Sequence, residues 1–69
     1  MQTGAIRRLE RYRGFGFIRT AGGKDLFFHR SAVEGSDFYS LKEGQGVEFK
    51  IDLCPRGLQA TNVKLIQGG

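Results

Sequence analysis

The sequence predicts an all-β fold, a small closed or nearly closed barrel of five short strands. Short runs rich in β-branched and aromatic residues alternate along the chain with clusters of glycine, which are typical of turns. No window of roughly eleven residues has a convincing helical period. The chain has only 69 residues, and two units of half that size would each lack a core, so we expect one domain spanning 1–69. Five short strands in so short a chain favour a barrel.

The strands are expected at about 3–10, 15–20, 26–29, 46–53 and 58–66. Between the third and fourth strands lies the longest connection, 34–45. It is preceded by Ser31-Ala32-Val33-Glu34, which has the form of a helix-capping box, but Gly35 follows at once. This pattern predicts one helical turn at most.

Side chains of a strand alternate between its two faces, and a barrel this small has room for one interior. The expected inward set is Ile18, Leu26, Phe28, Val47, Phe49, Ile51, Thr61, Val63 and Leu65. The same alternation points four side chains of the second and third strands outward, namely Phe15, Phe17, Phe27 and His29, with Arg19 on the same face.

An outward face with three phenylalanines needs an explanation. Aromatic rings interleaved with arginine suit single-stranded nucleic acid, because bases stack on the rings while cations attract phosphates. Gly14 and Gly16 fit this interpretation, since residues without side chains let a backbone or a base approach closely. The alternatives are that the 34–45 loop or a second copy of the chain covers the face, or that the face binds another protein.

The charge distribution also indicates a polyanionic partner. The formal net charge is +4, and residues 1–30 hold seven of the eleven Lys and Arg but only two of the seven Asp and Glu. A one-sided basic field of this kind is typical of nucleic-acid-binding proteins. The alternative is that the charge serves only to keep a small protein in solution.

Two motifs carry a resemblance to bacterial cold-shock proteins: Arg13-Gly14-Phe15-Gly16-Phe17-Ile18 and Leu26-Phe27-Phe28-His29. The similarity continues in order and spacing over residues 3–66, through Lys24-Asp25, Ser31-Ala32-Val33, Leu41-x-Glu43-Gly44-Gln45 and Arg56-Gly57-x-Gln59-Ala60-x-Asn62-Val63. The resemblance implies a five-stranded antiparallel OB-fold barrel. It also implies binding of single-stranded RNA and DNA, and melting of RNA secondary structure as a chaperone without catalysis.

The chain departs from the family pattern at two positions of the binding face. Arg8 stands where the family usually has a stacking Trp, and Arg30 stands where another aromatic residue usually follows the motif histidine. Because arginine can both stack and pair with phosphate, we expect binding to be retained but shifted toward electrostatics. The expected nucleic-acid-binding residues are Arg7, Arg8, Arg13, Phe15, Phe17, Arg19, Asp25, Phe27, His29, Arg30, Phe38 and Arg56.

Other functions find little support in the residues. His29 is the only histidine and has no recognisable nucleophile or orienting acid, so no catalytic role is expected. His29 and Cys54 alone cannot build a zinc site, and we expect no cofactor and no small-molecule substrate. With no apolar span and no visible secretory signal, we expect a cytoplasmic protein without membrane contact. A monomer is expected, with a strand-exchanged dimer as the alternative.

Overall fold

In the computed structural model, which describes residues 2–34 and 38–66, five strands account for most of the chain. They are β1 (Gln2–Glu10), β2 (Phe15–Thr20), β3 (Asp25–His29), β4 (Gly46–Cys54) and β5 (Gly57–Leu65). Every boundary lies within one residue of its expected position. The glycine clusters and the β-rich runs between them were therefore sufficient to place the strands.

The strands close into a barrel in the order β1-β2-β3-β5-β4, which confirms the predicted architecture. Neighbouring strands are antiparallel except where β3 meets β5. There the strands are parallel, with Phe27 opposite Gln59. Just beyond this seam, a bridge between Val33 and Val63 continues the parallel contact.

The barrel interior is apolar, and no polar or charged residue of the described ranges is buried. Ile18, Leu26 and Phe28 point inward as the alternation predicts. The full buried set is Ile6, Ile18, Leu26, Phe28, Phe38, Leu41, Val47, Phe49, Ala60 and Val63. This core is the source of most of the stability of the fold, because the chain has a single cysteine and hence no internal disulfide.

Two inward assignments were wrong: Thr61 lies beside a bulge in β5, and Ile51 lies in the part of β4 that β1 does not accompany. Ile51 is 39% exposed, and Ala60 rather than Thr61 is buried. The pairing of β4 with β5 shifts register between Glu48 and Lys50, and such a bulge changes the phase of the side chains that follow. In addition, β1 accompanies β4 only as far as Phe49, so the remaining hairpin extends beyond the barrel.

The connection between β3 and β4 packs onto the core where it is described. A single 3-10 turn, η2 (Phe38–Ser40), buries Phe38, and Leu41 is fully buried behind it. This part of the loop therefore does not cover the outward phenylalanines, which remain partly exposed.

The single helical turn expected after β3 is present as the 3-10 turn η1 (Arg30–Ala32). Its N-cap is His29 instead of the serine of the capping-box pattern, because the His29 side chain accepts a hydrogen bond from the Ser31 amide. Gly35, the expected stop signal, lies outside the described residues. Neither of the two 3-10 turns in the described ranges has the length or apolar character needed to span a membrane.

Candidate nucleic-acid interface

Four side chains form a continuous outward surface on β2 and β3, which we call the aromatic face: Phe15, Phe17, Phe27 and His29. Register places Phe15 opposite His29 and Phe17 opposite Phe27. The ring centroids of Phe15 and Phe27 are 5.3 Å apart, and Phe17 lies 6.0 Å from each of them. The three rings hold one another in place by edge and tilted contacts, while each keeps part of its surface exposed.

Two glycines beside the aromatic face leave room for other parts of the chain, and at Gly16 this includes the close approach of a backbone expected from sequence. Gly16 is buried, and a Cβ there would lie 2.7 Å from the Arg8 carbonyl oxygen and 2.8 Å from the Phe28 ring. Gly14 has a positive φ of 75° and packs against the Arg30 side chain. The missing side chains thus allow β1 and the core ring of Phe28 to approach β2 closely.

His29 is oriented by the turn that follows it. Its Nδ1 accepts a hydrogen bond from the Ser31 amide at 3.2 Å and lies 2.8 Å from the Ser31 hydroxyl. A backbone N–H can only donate, so Nδ1 is the acceptor in this contact, and the tautomer that fits it carries its hydrogen on Nε2. The exposed imidazole can therefore offer both a ring face and an Nε2–H donor.

An open groove of about 510 Å³, the His29 groove, continues the aromatic face toward β5. It is lined by Phe27, His29, Arg56, Leu58 and Gln59. Arg56 thus reaches this surface, as expected from sequence. Leu58 and Gln59 were not anticipated, because they come to Phe27 only through the parallel β3–β5 pairing, for which no local sequence signal exists.

On the opposite side of the aromatic face, a second groove of about 270 Å³ is lined by Arg7, Arg8, Phe17 and Asp25. We call it the arginine groove. Arg8 lies directly across the strand pair from Phe17, so the residue expected in place of a Trp is on this surface. Its guanidinium contacts the Glu10 carboxylate, with Nη2 and Oε1 2.7 Å apart.

Asp25, which lines the arginine groove, forms ion pairs with two arginines. Its two carboxylate oxygens each lie 3.3 Å from a guanidinium Nε, one of Arg7 and one of Arg19. These ion pairs are about half exposed, and exposed pairs contribute at most about 1 kcal/mol to stability. The arginines can therefore exchange a carboxylate for a phosphate at little cost to the fold.

The other expected site residues have different surroundings. Arg30 donates from Nη1 to the Tyr39 hydroxyl at 3.2 Å. Arg13 is exposed in the β1–β2 turn and lines neither groove. Phe38 was expected to stack on a base, but it is only 4% exposed. Its ring packs against the core ring of Phe28 with centroids 6.0 Å apart, so it presents almost no ring surface to a base in this structure.

The comparisons with known proteins agree with this geometry. A family model described as the "'Cold-shock' DNA-binding domain" matches residues 2–66. The chain belongs to the cold-shock domain family. It is thus a member of a family of nucleic-acid-binding domains, and the aromatic and basic surfaces described above belong to a cold-shock domain.

Curated relatives match along nearly the whole chain. A cold shock-like protein CspLB of Listeria monocytogenes is 51% identical over 63 residues, which cover 91% of this chain and 96% of that protein. Cold shock protein CspD of Bacillus subtilis is 48% identical with the same coverage. Among solved structures, the Drosophila Unr CSD456 chain aligns with a TM-score of 0.77 and 31% identity, and the match covers 96% of this chain and 26% of that one.

Proposed function

We propose that this cold-shock domain binds single-stranded RNA and DNA by base stacking on the aromatic face, and that it acts as an RNA chaperone by holding RNA unpaired. The observation that carries the proposal is the cluster of three partly exposed phenylalanine rings beside an exposed histidine. Rings of this kind accept any base, because every base has a π-face. The surface therefore favours single strands without strong sequence preference.

The flanking cations support the same proposal. Arg7, Arg8 and Arg19 lie along one side of the aromatic face and Arg56 lies on the other. A single strand whose bases stack on the rings has its phosphates at the margins of the stack, where these guanidinium groups can attract them. Protein interfaces, in contrast, tend to exclude charge from their centre.

RNA melting follows from preferential binding. A protein that binds only the unpaired state stabilises that state by RT ln(1 + [L]/Kd), where [L] is the concentration of free protein. A protein concentration well above Kd therefore opens weak hairpins without an energy source. The described residues contain two 3-10 turns but no α-helix that could enter the major groove of a duplex. Stacking on the aromatic face also requires bases that have left their own stack.

The proposal predicts that single strands compete far better than duplex for the protein. A labelled oligothymidine should be displaced by an unlabelled single strand at much lower concentration than by a perfect duplex, because duplex bases hide their faces. An RNA hairpin carrying a fluorophore and a quencher should brighten as the protein is added. The readouts are fluorescence anisotropy for the competition and emission intensity for the hairpin.

Equal competition by duplex and single strand would instead identify a purely electrostatic binder. If neither form of nucleic acid binds, the aromatic face is better explained as a surface for another protein. A hairpin with a stem of the same length but a GC-rich sequence serves as the control. Its stem is more stable, so binding of the protein to the unpaired state should leave it closed.

A second prediction concerns Arg8. Each phosphate that a protein neutralises on a single strand contributes about −0.7 to the slope of log affinity against log salt, whereas stacking is far less sensitive to salt. Replacing Arg8 with Trp should therefore reduce the slope by up to roughly 0.7 and raise relative affinity at high ionic strength. Affinity for one oligothymidine at four salt concentrations measures both quantities.

The matched control is Lys64→Gln, which removes one exposed charge from β5 outside the two grooves. We expect this variant to keep the slope of the native protein to within a small fraction of one phosphate contact. If Arg8→Trp leaves slope and high-salt affinity unchanged, Arg8 does not touch the strand and remains a partner of Glu10 only.

A further inference from the structure

The basic half of the chain holds its few carboxylates beside the aromatic face. Residues 1–30 contain only two acidic side chains, Glu10 and Asp25. Asp25 lines the arginine groove and is paired with two arginines, and Glu10 is paired with Arg8. A surface that attracts a polyanion gains from its cations and loses from its carboxylates. The position of Glu10 therefore needs an explanation other than attraction of the strand.

Glu10 lies on the same side of the sheet as the aromatic rings. Across the β1–β2 ladder it is opposite Phe15, and Arg8 is opposite Phe17. Residues that face each other across an antiparallel pair project to the same side of the sheet. A single strand whose bases stack on these two rings therefore has both Arg8 and Glu10 at its margin.

Glu10 occupies the part of Arg8 that a phosphate would bind. Both Nε and Nη2 of Arg8 lie 2.7 Å from the same carboxylate oxygen, Oε1 of Glu10. These two nitrogens form one edge of the planar guanidinium group, the kind of edge with which arginine binds a carboxylate or a phosphate. A phosphate that approaches this edge meets a carboxylate already in place.

The pair contributes little to the fold, so stability does not explain it. The side chain of Arg8 is 67% exposed and that of Glu10 is 31% exposed, and ion pairs at the surface add little to stability. β1 is held instead by its ladders with β2 and β4 and by the buried side chain of Ile6. The charge of Glu10 can therefore be removed without loss of the barrel.

From this geometry we infer that Glu10 is an internal competitor for phosphate, which occupies Arg8 in the free protein and so limits how tightly a single strand is held. A phosphate that binds Arg8 must displace the Glu10 carboxylate, and the displaced negative charge then lies close to the bound phosphate. Both effects lower the affinity. This role rests on the proposed function, since it needs a strand on the aromatic face. It allows a domain rich in arginine to release RNA readily.

Replacing Glu10 with glutamine tests this role, because the side chain keeps its size and loses its charge. We expect affinity for oligothymidine at about 0.15 M salt to rise about two- to fivefold, the range that an exposed ion pair can supply. The slope of log affinity against log salt should become steeper. In the native protein salt also weakens the competing pair, which offsets part of its effect on phosphate contacts. Fluorescence anisotropy measures both quantities, and thermal melts show that the variant is folded.

The matched control is Glu48→Gln, which makes the same change in net charge on β4. That strand borders β1 and β5 and neither strand of the aromatic face. Charges farther apart than about 8 Å are largely screened at 0.15 M salt, so this variant should bind as the native protein does. A second probe is oligothymidine with an uncharged methylphosphonate backbone. The native protein and Glu10→Gln should bind it equally, because it offers no phosphate charge for which a carboxylate can compete.

The outcomes separate this role of Glu10 from the proposed function. If the native protein does not bind oligothymidine, the proposed function fails and the role of Glu10 fails with it. If the native protein binds and Glu10→Gln binds no more tightly than Glu48→Gln, only the competition is overturned. Weaker binding by Glu10→Gln would also overturn it, because Glu10 would then position Arg8 for the strand. An equal gain with the uncharged strand would do the same, because the carboxylate would then act on the bases.

Discussion

Replacing Phe28 with alanine is expected to remove about 3–5 kcal/mol of folding stability, the largest effect of any substitution considered for this protein. Phe28 is fully buried and lies over Gly16, where no Cβ could be accommodated beside its ring. It also supports Phe38, which covers one side of the core. Small domains have only some 5–15 kcal/mol of stability in total, so this loss can leave a large unfolded fraction at room temperature.

Thermal and urea melts of the native protein and the variant measure this effect. Leu53→Ala is the matched control, because Leu53 is 80% exposed in the β4–β5 hairpin and its truncation should shift stability by less than about 0.5 kcal/mol. A Phe28→Ala variant that melts with the native protein would show that the interior of the barrel has been assigned to the wrong face of β3.

Replacing Phe27 with alanine should weaken binding of nucleic acid and have little effect on folding stability. This ring lies on the aromatic face, 5.3 Å from Phe15, and it also lines the His29 groove. Its removal is expected to weaken binding of a short oligothymidine by about 1–3 kcal/mol, the value of one stacked base. Stability should fall far less than in Phe28→Ala, because the side chain keeps part of its surface in solvent in the folded state.

Binding isotherms and melts of the same protein samples separate the two contributions. Phe15→Ala is a second variant on the same face and should behave as Phe27→Ala does, since its ring makes the matching contacts. If Phe27→Ala unfolds the protein while Phe28→Ala leaves it folded, the two faces are inverted. If Phe27→Ala binds as tightly as the native protein, base stacking on this face is not the mode of binding.

The departures of this chain from the cold-shock pattern have a consistent physical interpretation. Arg8 occupies the surface opposite Phe17, and Arg30 extends toward Tyr39. Stacking area near the aromatic face has been replaced by guanidinium groups, while two tyrosines lie in a neighbouring groove. We expect such an exchange to make binding more sensitive to salt, which the Arg8→Trp variant tests.

The positions of the strands, and the side chains of β2 and β3 that point inward, could be predicted from sequence because both depend on local rules. A glycine cluster marks a turn wherever it lies, and strict alternation decides which of Phe27 and Phe28 is buried. The same rule was misleading for Ile51, which lies beyond the part of β4 that β1 accompanies, and for Thr61, which lies beside a bulge in β5. A bulge adds a residue without any change in composition, and the pairing that produces it involves two strands at once.

The sequence by itself determined a five-stranded barrel with a basic half and an outward aromatic face, because strand period and net charge are properties of neighbouring residues. Tertiary structure alone decided which residues complete the surface. Leu58 and Gln59 come to Phe27 through a parallel pairing across more than thirty positions of the chain, Phe38 is drawn into the core by Phe28, and Tyr12 and Tyr39 meet in one groove. Contacts of this kind depend on how the barrel closes, and closure is set by the packing of the whole interior and not by any local pattern.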